Sequence, residues 1–236
     1  MLSNQLLRLK LKNRVNKLDS LDYGLVEPWI QAEVLNKAQS DWVRRQLEGV
    51  NQEKTGNEAS IRRIDDLQQL LSTWTGSFTD RGQFWQSETW PSNYMEWCRI
   101  DVQGQDDCKK CPPRNMTIFM GNEADVSIYL SDKYRTPNYE WATTFATVAN
   151  NTFKIWTNDQ FDLVNPLVTF YRVPQTIVFV GTLDPYTNTV SPVDIPCEFP
   201  DNIAEIIVDE AAAILIGDID DYMKNKLLVE RAEHNT

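Results

Sequence analysis

Residues 195–222 read IPCEFPDNIAEIIVDEAAAILIGDIDDY and predict a single long helix that begins just after Pro200. At about 100° per residue, an arc of about 140° collects most of its apolar side chains, namely Ile203, Ala204, Ile207, Val208, Ala211, Ile214 and Leu215. This arc predicts one helix face packed in a core. Ile206 and Ile216 fall outside the arc, among acidic residues. A second packing surface, distinct from the core that covers the arc, must therefore shield them from water.

The first 75 residues predict three further helices. The first covers residues 3–18, the second begins at Pro28 and ends near Leu47, and the third runs from a cap at Ser60 to about residue 71. The first helix contains five Lys or Arg residues and no acid, whereas residues 198–236 contain ten acids and three basic residues. This opposite charge predicts that the two ends of the chain meet, within one subunit or between neighbours.

The sequence between these helices has a different character. Ten of the eleven prolines lie between Pro91 and Pro200, and a helical domain would not tolerate them. Short runs rich in β-branched and aromatic residues predict strands at Thr117–Met120, Val126–Leu130, Phe153–Thr157, Leu167–Val173 and Thr176–Leu183. The predicted fold class is α+β, in which the N-terminal helices and the long C-terminal helix form a bundle with an antiparallel β insert. The expected divisions are residues 1–75, 76–198 and 199–236.

The charge of the chain excludes two classes of partner. A net charge of −11 argues against a general nucleic-acid binder and against docking on an anionic membrane. DNA that passes without being gripped remains compatible with an acidic protein. No apolar run approaches the roughly 20 residues of a membrane span, and the N-terminus lacks the apolar core of a signal peptide. We therefore expect synthesis and assembly in the cytoplasm.

The sequence offers little catalytic chemistry. Its one histidine, His234, is the third residue from the end of the given sequence, and no glycine-rich phosphate loop is present. The acids at the end of the long helix lack the spacing of a calcium loop. We expect no catalytic residues, no cofactor, no metal and no enzymatic activity. A hydrolase that uses β-region carboxylates (Asp101, Asp106, Asp107 or Glu123) is the enzymatic alternative.

The four cysteines leave three states open. Cys108 and Cys111 form a CxxC pair, whereas Cys98 and Cys197 stand alone in the sequence. Zinc would need four ligands, and the usual second CxxC is missing. A disulfide formed in an extracellular particle is the second possibility. Reduced thiols are the expected state in a cytosolic protein.

An aromatic cluster spans residues 84–97, FWQSETWPSNYMEW, and contains Phe84, Trp85, Trp90, Tyr94 and Trp97. Exposed in a row, these rings would stack on sugars, which would make the chain a carbohydrate- or receptor-binding tail module. Buried, they would form a small core at the junction of the helical and β parts, and this is our expectation.

Three segments resemble ring-forming structural proteins of tailed bacteriophages. They are NKAQSDWVRRQLEGVNQ (36–52), RRIDDLQQLL (62–71), and YRVP (171–174) together with DIPCEFPDNIAEIIVDEAAAILIGD (194–218). The resemblance is to the connector ring proteins of crAss-like phages, and the overall plan is similar to that of the tubular adaptor below the portal of short-tailed phages. It covers most of the chain, most strongly at both helical ends.

The resemblance implies a non-enzymatic virion protein, present in about twelve copies, that joins the portal to the tail around the DNA passage. Its partners would be its own copies, the portal and other tail proteins, and the family provides no catalytic residues. In such a ring, Ile206 and Ile216 would contact a neighbouring subunit. Tyr222, Met223, Leu227 and Leu228 would reach another ring or the portal. In the intramolecular alternative, the β insert covers Ile206 and Ile216.

Overall fold

The computed structural model describes residues 2–17, 26–48, 66–106, 112–184 and 188–218. The helices are α1 (Asn4–Lys17), α2 (Pro28–Glu48), α3 (Val126–Ser131) and α4 (Asp201–Asp218). The strands are β1 (Leu71–Trp74), β2 (Phe78–Asp80), β3 (Phe84–Ser87), β4 (Tyr94–Gln105), β5 (Arg114–Met120), β6 (Thr143–Ala149), β7 (Thr152–Trp156), β8 (Asp162–Arg172), β9 (Leu183–Asp184) and β10 (Thr189–Val190).

The chain divides into two compact units. The helical unit comprises residues up to Gln69 and from Pro174 onward, and the sheet unit comprises Leu70–Val173. These boundaries differ from the expected divisions at residues 75 and 198, because the strands begin at Leu71 and the segment after Val173 belongs with the helices.

The expected fold class is wrong. The dominant element is an eight-stranded mixed sheet with the order β1-β8-β4-β5-β6-β7-β3-β2, not a helical bundle with an antiparallel insert. Strands β5 and β6 run parallel, so they need a crossover connection, and α3 lies in that connection. Val126–Leu130 therefore forms helix rather than the predicted strand. The predicted third helix also ends before Leu71, where β1 begins, and its residues 60–65 lie outside the described ranges.

The sheet curls into a half-barrel because its two edges are joined by a very short linker. β1 and β2 lie at opposite edges of the sheet, yet only residues 75–77 separate them in the chain. Four residue steps reach at most about 14 Å, so the edges must approach one another. The indole of Trp74 lies inside this curl, with ring centroids 5.9 Å from Phe78 and 5.8 Å from Phe153. Side chains fill the interior, as expected for a curled sheet of eight strands.

Gly76 is required at this closure. A Cβ atom built on Gly76 would lie 1.9 Å from Cζ2 of Trp74, whose ring is already held against Phe78 and Phe153. We expect Gly76→Ala to lower the free energy of unfolding by about 1–3 kcal/mol, because the indole must leave its packed position. Urea unfolding followed by tryptophan fluorescence measures this change. Ser77→Ala, at an exposed neighbour, is the control, and equal stability of the two variants would contradict the expectation.

The sheet unit is an insertion in the helical unit. Its first strand, β1, pairs antiparallel with its last strand, β8, with Leu71 opposite Tyr171. The chain therefore enters and leaves the sheet unit through neighbouring strands, as an inserted domain requires.

The helical unit is built around α4. Its helices α1 and α2 both pack against α4. Ala211, Ala212 and Ala213 point in directions about 100° apart, and each is at most 3% exposed. Other residues of the same chain therefore surround α4 at this level, which is the arrangement expected for a helix that is apolar on more than one face.

Candidate assembly surfaces

Residues 177–184 and 188–195 of the helical unit form an antiparallel pair that is anchored to two helices at its base. We call these residues the arm. The side-chain amide of Asn36 accepts a hydrogen bond from the backbone N–H of Ile177 and donates one to its carbonyl, at 2.7 and 3.0 Å. The amide of Asn4 donates to the carbonyls of Val178 and Ile195, at 2.9 and 3.0 Å. Both strands of the arm are thus fixed to helices at their base.

The outer part of the arm exposes four large aliphatic side chains. These are Val180, Leu183, Val190 and Val193, each between 49 and 60% exposed. The strands β9 and β10 pair only with each other among the described residues. An isolated two-stranded ribbon is marginally stable in water, and exposed apolar side chains are typical of interaction sites. The outer part of the arm is therefore a candidate contact surface. The sequence of the arm contains two acids and no Lys or Arg.

Helix α1 carries leucines on two opposite faces. Leu7 and Leu11 point into the helical unit and are 1% exposed. Leu6 and Leu9 lie on the other face and are 38 and 54% exposed, with the exposed Lys12 one turn from Leu9. The outer face of α1, defined by Leu6, Leu9 and Lys12, is therefore apolar and basic.

Ion pairs join α1 to α4. Lys10 pairs with Glu205, and Nε of Arg14 lies 2.5 Å from Oδ1 of Asp209. The prediction that opposite charges bring the two ends of the chain together is confirmed, and it is satisfied within one subunit. The side chain of Asp209 is only 4% exposed, and the charge of Arg14 helps to compensate for its burial.

A second buried carboxylate lies between α2 and α4. Glu210 is 8% exposed, and its carboxylate pairs with Arg45. Burial raises the pKa of Glu210 to about 7; the Arg45 charge opposes this shift and the nearby Asp41 adds to it.

The same interface contains aromatic and thiol contacts. Trp42 packs edge-on against Phe199, with ring centroids 5.2 Å apart. The Cys197 thiol lies 3.5 Å from Oε1 of Gln39, and burial raises the pKa of this thiol. A buried thiol with a raised pKa is a poor nucleophile.

The structure separates the residues expected at an oligomer interface. Ile216 is 0% exposed, so its own chain covers it and it offers no surface to a neighbour. Ile206 is half-buried and retains some exposed surface. Tyr222, Met223, Leu227 and Leu228 lie outside the described residues. The apolar surplus of α4 is thus largely covered inside the subunit, and within the described part of the helical unit the exposed large apolar side chains lie on the arm and on α1.

The aromatic cluster at residues 84–97 is mostly packed inside the sheet unit, in agreement with the expectation that it is buried. Trp90 stacks on Phe153 at 4.4 Å, and Tyr94 lies 5.7 Å from the same ring. Burial raises the pKa of Tyr94 to about 12. Phe84 contacts Trp156. Among the five rings of the cluster, Trp97 is the most exposed, at 40%. The exposed row of rings that sugar binding would use is therefore not present in this cluster.

A different pair of rings is exposed on the sheet unit. Tyr134 and Trp141 are 77 and 51% exposed, and their planes differ by 15° at a centroid distance of 6.3 Å. Ile128 on α3 is 56% exposed. All three lie in the connection between β5 and β6, which sequence patterns did not single out as a surface.

Two of the four candidate hydrolase carboxylates, Asp101 and Glu123, are engaged in salt bridges. Asp101 pairs with Arg99 at 2.8 Å, and Glu123 pairs with Lys154. Burial works to raise the pKa of Glu123, but hydrogen bonds from Lys154 and Thr147 outweigh it and the pKa is lowered. Asp107 lies outside the described ranges.

Within the described ranges, no group of three or more His, Cys, Asp or Glu residues could hold a metal ion. Cys108 and Cys111 lie outside the described residues. None of the helices described is both long enough and apolar enough to cross a membrane.

Sequence reasoning missed the arm and the outer face of α1. Thr176–Leu183 was predicted as a strand, but strand residues such as Val180 and Leu183 are usually buried, so their exposure was not visible in the pattern. The only available signal was the spacing of Leu6 and Leu9, which places them opposite Leu7 and Leu11 on a helix. Comparisons of the chain with protein-family models and with characterised proteins find no match.

Proposed function

We propose that this chain is a non-enzymatic structural subunit of a bacteriophage virion. About twelve copies would form a connector ring that joins the portal to the tail and surrounds the DNA passage. The proposal combines the resemblance of the helical segments to connector ring proteins with the exposed apolar surfaces of the helical unit.

The observation that carries the proposal is the arm. Four aliphatic side chains at 49–60% exposure lie on the arm, whose base is fixed by four side-chain amide hydrogen bonds, from Asn36 and Asn4. A rigidly held apolar surface loses little conformational entropy on docking, and its exposure is unfavourable in an isolated molecule. Such a feature is typical of a subunit that completes its surface in an assembly.

The segments that carry the resemblance also support the proposal. Residues 36–48 lie on α2 and residues 201–218 form α4, and these two helices pack against one another. Trp42 and Phe199, which come from two different segments, are in direct contact. The resemblance therefore falls on residues that form one packed core rather than on scattered surface positions.

The charge of the chain fits a DNA passage that does not grip its contents. A net charge of −11 repels phosphates at the short distances of a channel, so DNA could slide without specific binding. Regions that contact DNA in such a ring would depend on the arrangement of copies.

The mass of the purified chain, alone and mixed with the portal protein of the same phage, tests the proposal. We expect rings of about twelve copies in at least one of the two conditions, visible by mass photometry and negative-stain microscopy. Antibody labelling should place the chain at the neck of the virion. A chain that remains at its monomer mass of 27.3 kDa in both conditions would contradict the proposal.

A further inference from the structure

We infer that the arm of one copy docks on the outer face of α1 in the next copy. This inference rests on the proposed ring function and identifies the two surfaces that would form its repeated contact. It assigns a role to the exposed residues of the arm, Val180, Leu183, Val190 and Val193, and to Leu6, Leu9 and Lys12 of α1.

The two surfaces match in chemistry. Both are apolar, since the arm exposes four aliphatic side chains and α1 exposes two leucines on one face. Their charges are opposite. The arm contains two acids and no Lys or Arg, whereas residues 2–17 contain five basic residues and no acid. Apolar contact with complementary charge at its rim is the arrangement found in specific protein interfaces.

Among the described basic side chains of α1, the one that remains available at the surface lies on the outer face. Lys10 and Arg14 are engaged with Glu205 and Asp209 of their own chain. Arg8 donates to Gln31 and lies over the ring of Phe179. Lys12 is exposed beside Leu9 and is available to an acidic partner surface.

The arm cannot cover the outer face of α1 in its own chain. Its base is fixed to α1 through Asn4 and through the contact of Phe179 with Arg8, which lie on the inner side of the helix. Leu6 and Leu9 lie about 140–160° around the helix axis from Asn4. An arm held on one side of α1 can reach the opposite side only in another molecule.

A contact of this kind joins two different surfaces, so it repeats head to tail. The arm of each copy docks on one neighbour, and the α1 face of the same copy binds the arm of the other neighbour. If the rotation between neighbours is a whole fraction of a turn, the copies close into a ring. A two-fold symmetric dimer would instead use the same surface twice.

Two variants, each with one damaged surface, test this arrangement. Leu183→Asp with Val190→Asp damages the arm and leaves α1 intact, whereas Leu6→Asp with Leu9→Asp damages α1 and leaves the arm intact. All four positions are at least 38% exposed, so both variants should retain the circular dichroism spectrum of the wild type. Lys37→Gln and Arg44→Gln, at exposed positions of α2 outside both surfaces, each make the net charge more negative by one and control for added negative charge.

We expect neither variant to form rings by itself, under the condition in which the wild type assembles. In an equimolar mixture, the intact arm of the α1 variant can dock on the intact α1 face of the arm variant. No second contact can form, because the other two surfaces are both damaged. The mixture should therefore stop at dimers, at twice the chain mass of 27.3 kDa. The two control variants should assemble as the wild type does.

Three results would overturn the inference. Rings formed by the arm or α1 variants would show that these surfaces are not the contact, while the proposed ring function would stand. A mixture that stays monomeric would show that the arm and α1 do not meet each other. A wild-type chain that never assembles, with or without portal, would overturn the proposed function itself.

Discussion

Arg14→Met is expected to lower the free energy of unfolding by about 3 kcal/mol, because it removes a charged partner of a buried carboxylate. The side chain of Asp209 is 4% exposed, and its Oδ1 lies 2.5 Å from Nε of Arg14. Methionine keeps much of the volume and apolar stem of arginine, so the change is mainly the loss of the charge. Urea unfolding followed by circular dichroism, which reports on the helical unit, measures the effect.

Two further variants isolate this cause. Lys10→Met removes a pair with Glu205 in which both side chains are about one-third exposed, and we expect a loss below about 1 kcal/mol. Arg14→Met combined with Asp209→Leu removes both charges, and we expect it to recover most of the lost stability. Equal effects of Arg14→Met and Lys10→Met would show that burial of Asp209 does not determine the strength of this contact.

The sequence predicted the position and the inner face of α4, but not what surrounds it. Pro200 and the following Asp201 mark the start of α4 where it was expected, and Ile203, Ile207 and Val208 are at most 1% exposed. A helical wheel separates the faces of a helix but does not show how many neighbours the helix has. Ile216 lies outside the predicted arc and is nevertheless 0% exposed.

The sheet shows where local composition is insufficient. Val126–Leu130 is rich in β-branched and aromatic residues, yet it forms most of α3 within the connection between two parallel strands. The parallel pairing of β5 with β6 depends on contacts distant in sequence, and tertiary context outweighs a weak local preference. Composition also misleads at the arm. Its apolar residues are typical of a buried strand, yet its outer side chains are exposed.

The candidate surfaces were only partly predictable for the same reason. The opposite charges of the two ends indicated a contact, and the structure forms it through Lys10 and Arg14. Those pairs are internal, so the net charge pattern could not show which basic group remains at the surface. Lys10 and Lys12 lie on different sides of α1. Which of the two faces α4 and which faces solvent is known only when the packing of α1 on α4 is known.

Glu210→Gln is expected to change the pH dependence of stability by about 3 kcal/mol between pH 5 and pH 8. The pKa of Glu210 is raised to about 7, chiefly by burial, against an ordinary value of 4.5. The folded state therefore binds this proton more tightly than the unfolded state does. The stability that the protonated carboxyl provides is complete below pH 4.5 and is lost as the pH rises to about 7.

Glutamine retains a hydrogen-bonding group opposite Arg45 but does not ionise. The free energy of unfolding of Glu210→Gln, minus that of the wild type, should therefore rise between pH 5 and pH 8. Contributions that other groups make equally to both proteins cancel in this difference. Urea unfolding at pH values between 5 and 8 provides the measurement, and parallel curves for the two proteins would contradict the expectation.

Asp41→Asn is the matched variant, because the charge of Asp41 adds to the raised pKa of Glu210. Its removal should lower that pKa, so the loss of stability should still begin near pH 4.5 but should end at lower pH and be smaller than in the wild type. Arg45→Met should move the loss in the opposite direction, since the Arg45 charge favours the ionised carboxylate. Opposite displacements would identify Glu210, held between these two residues of α2, as the group that titrates.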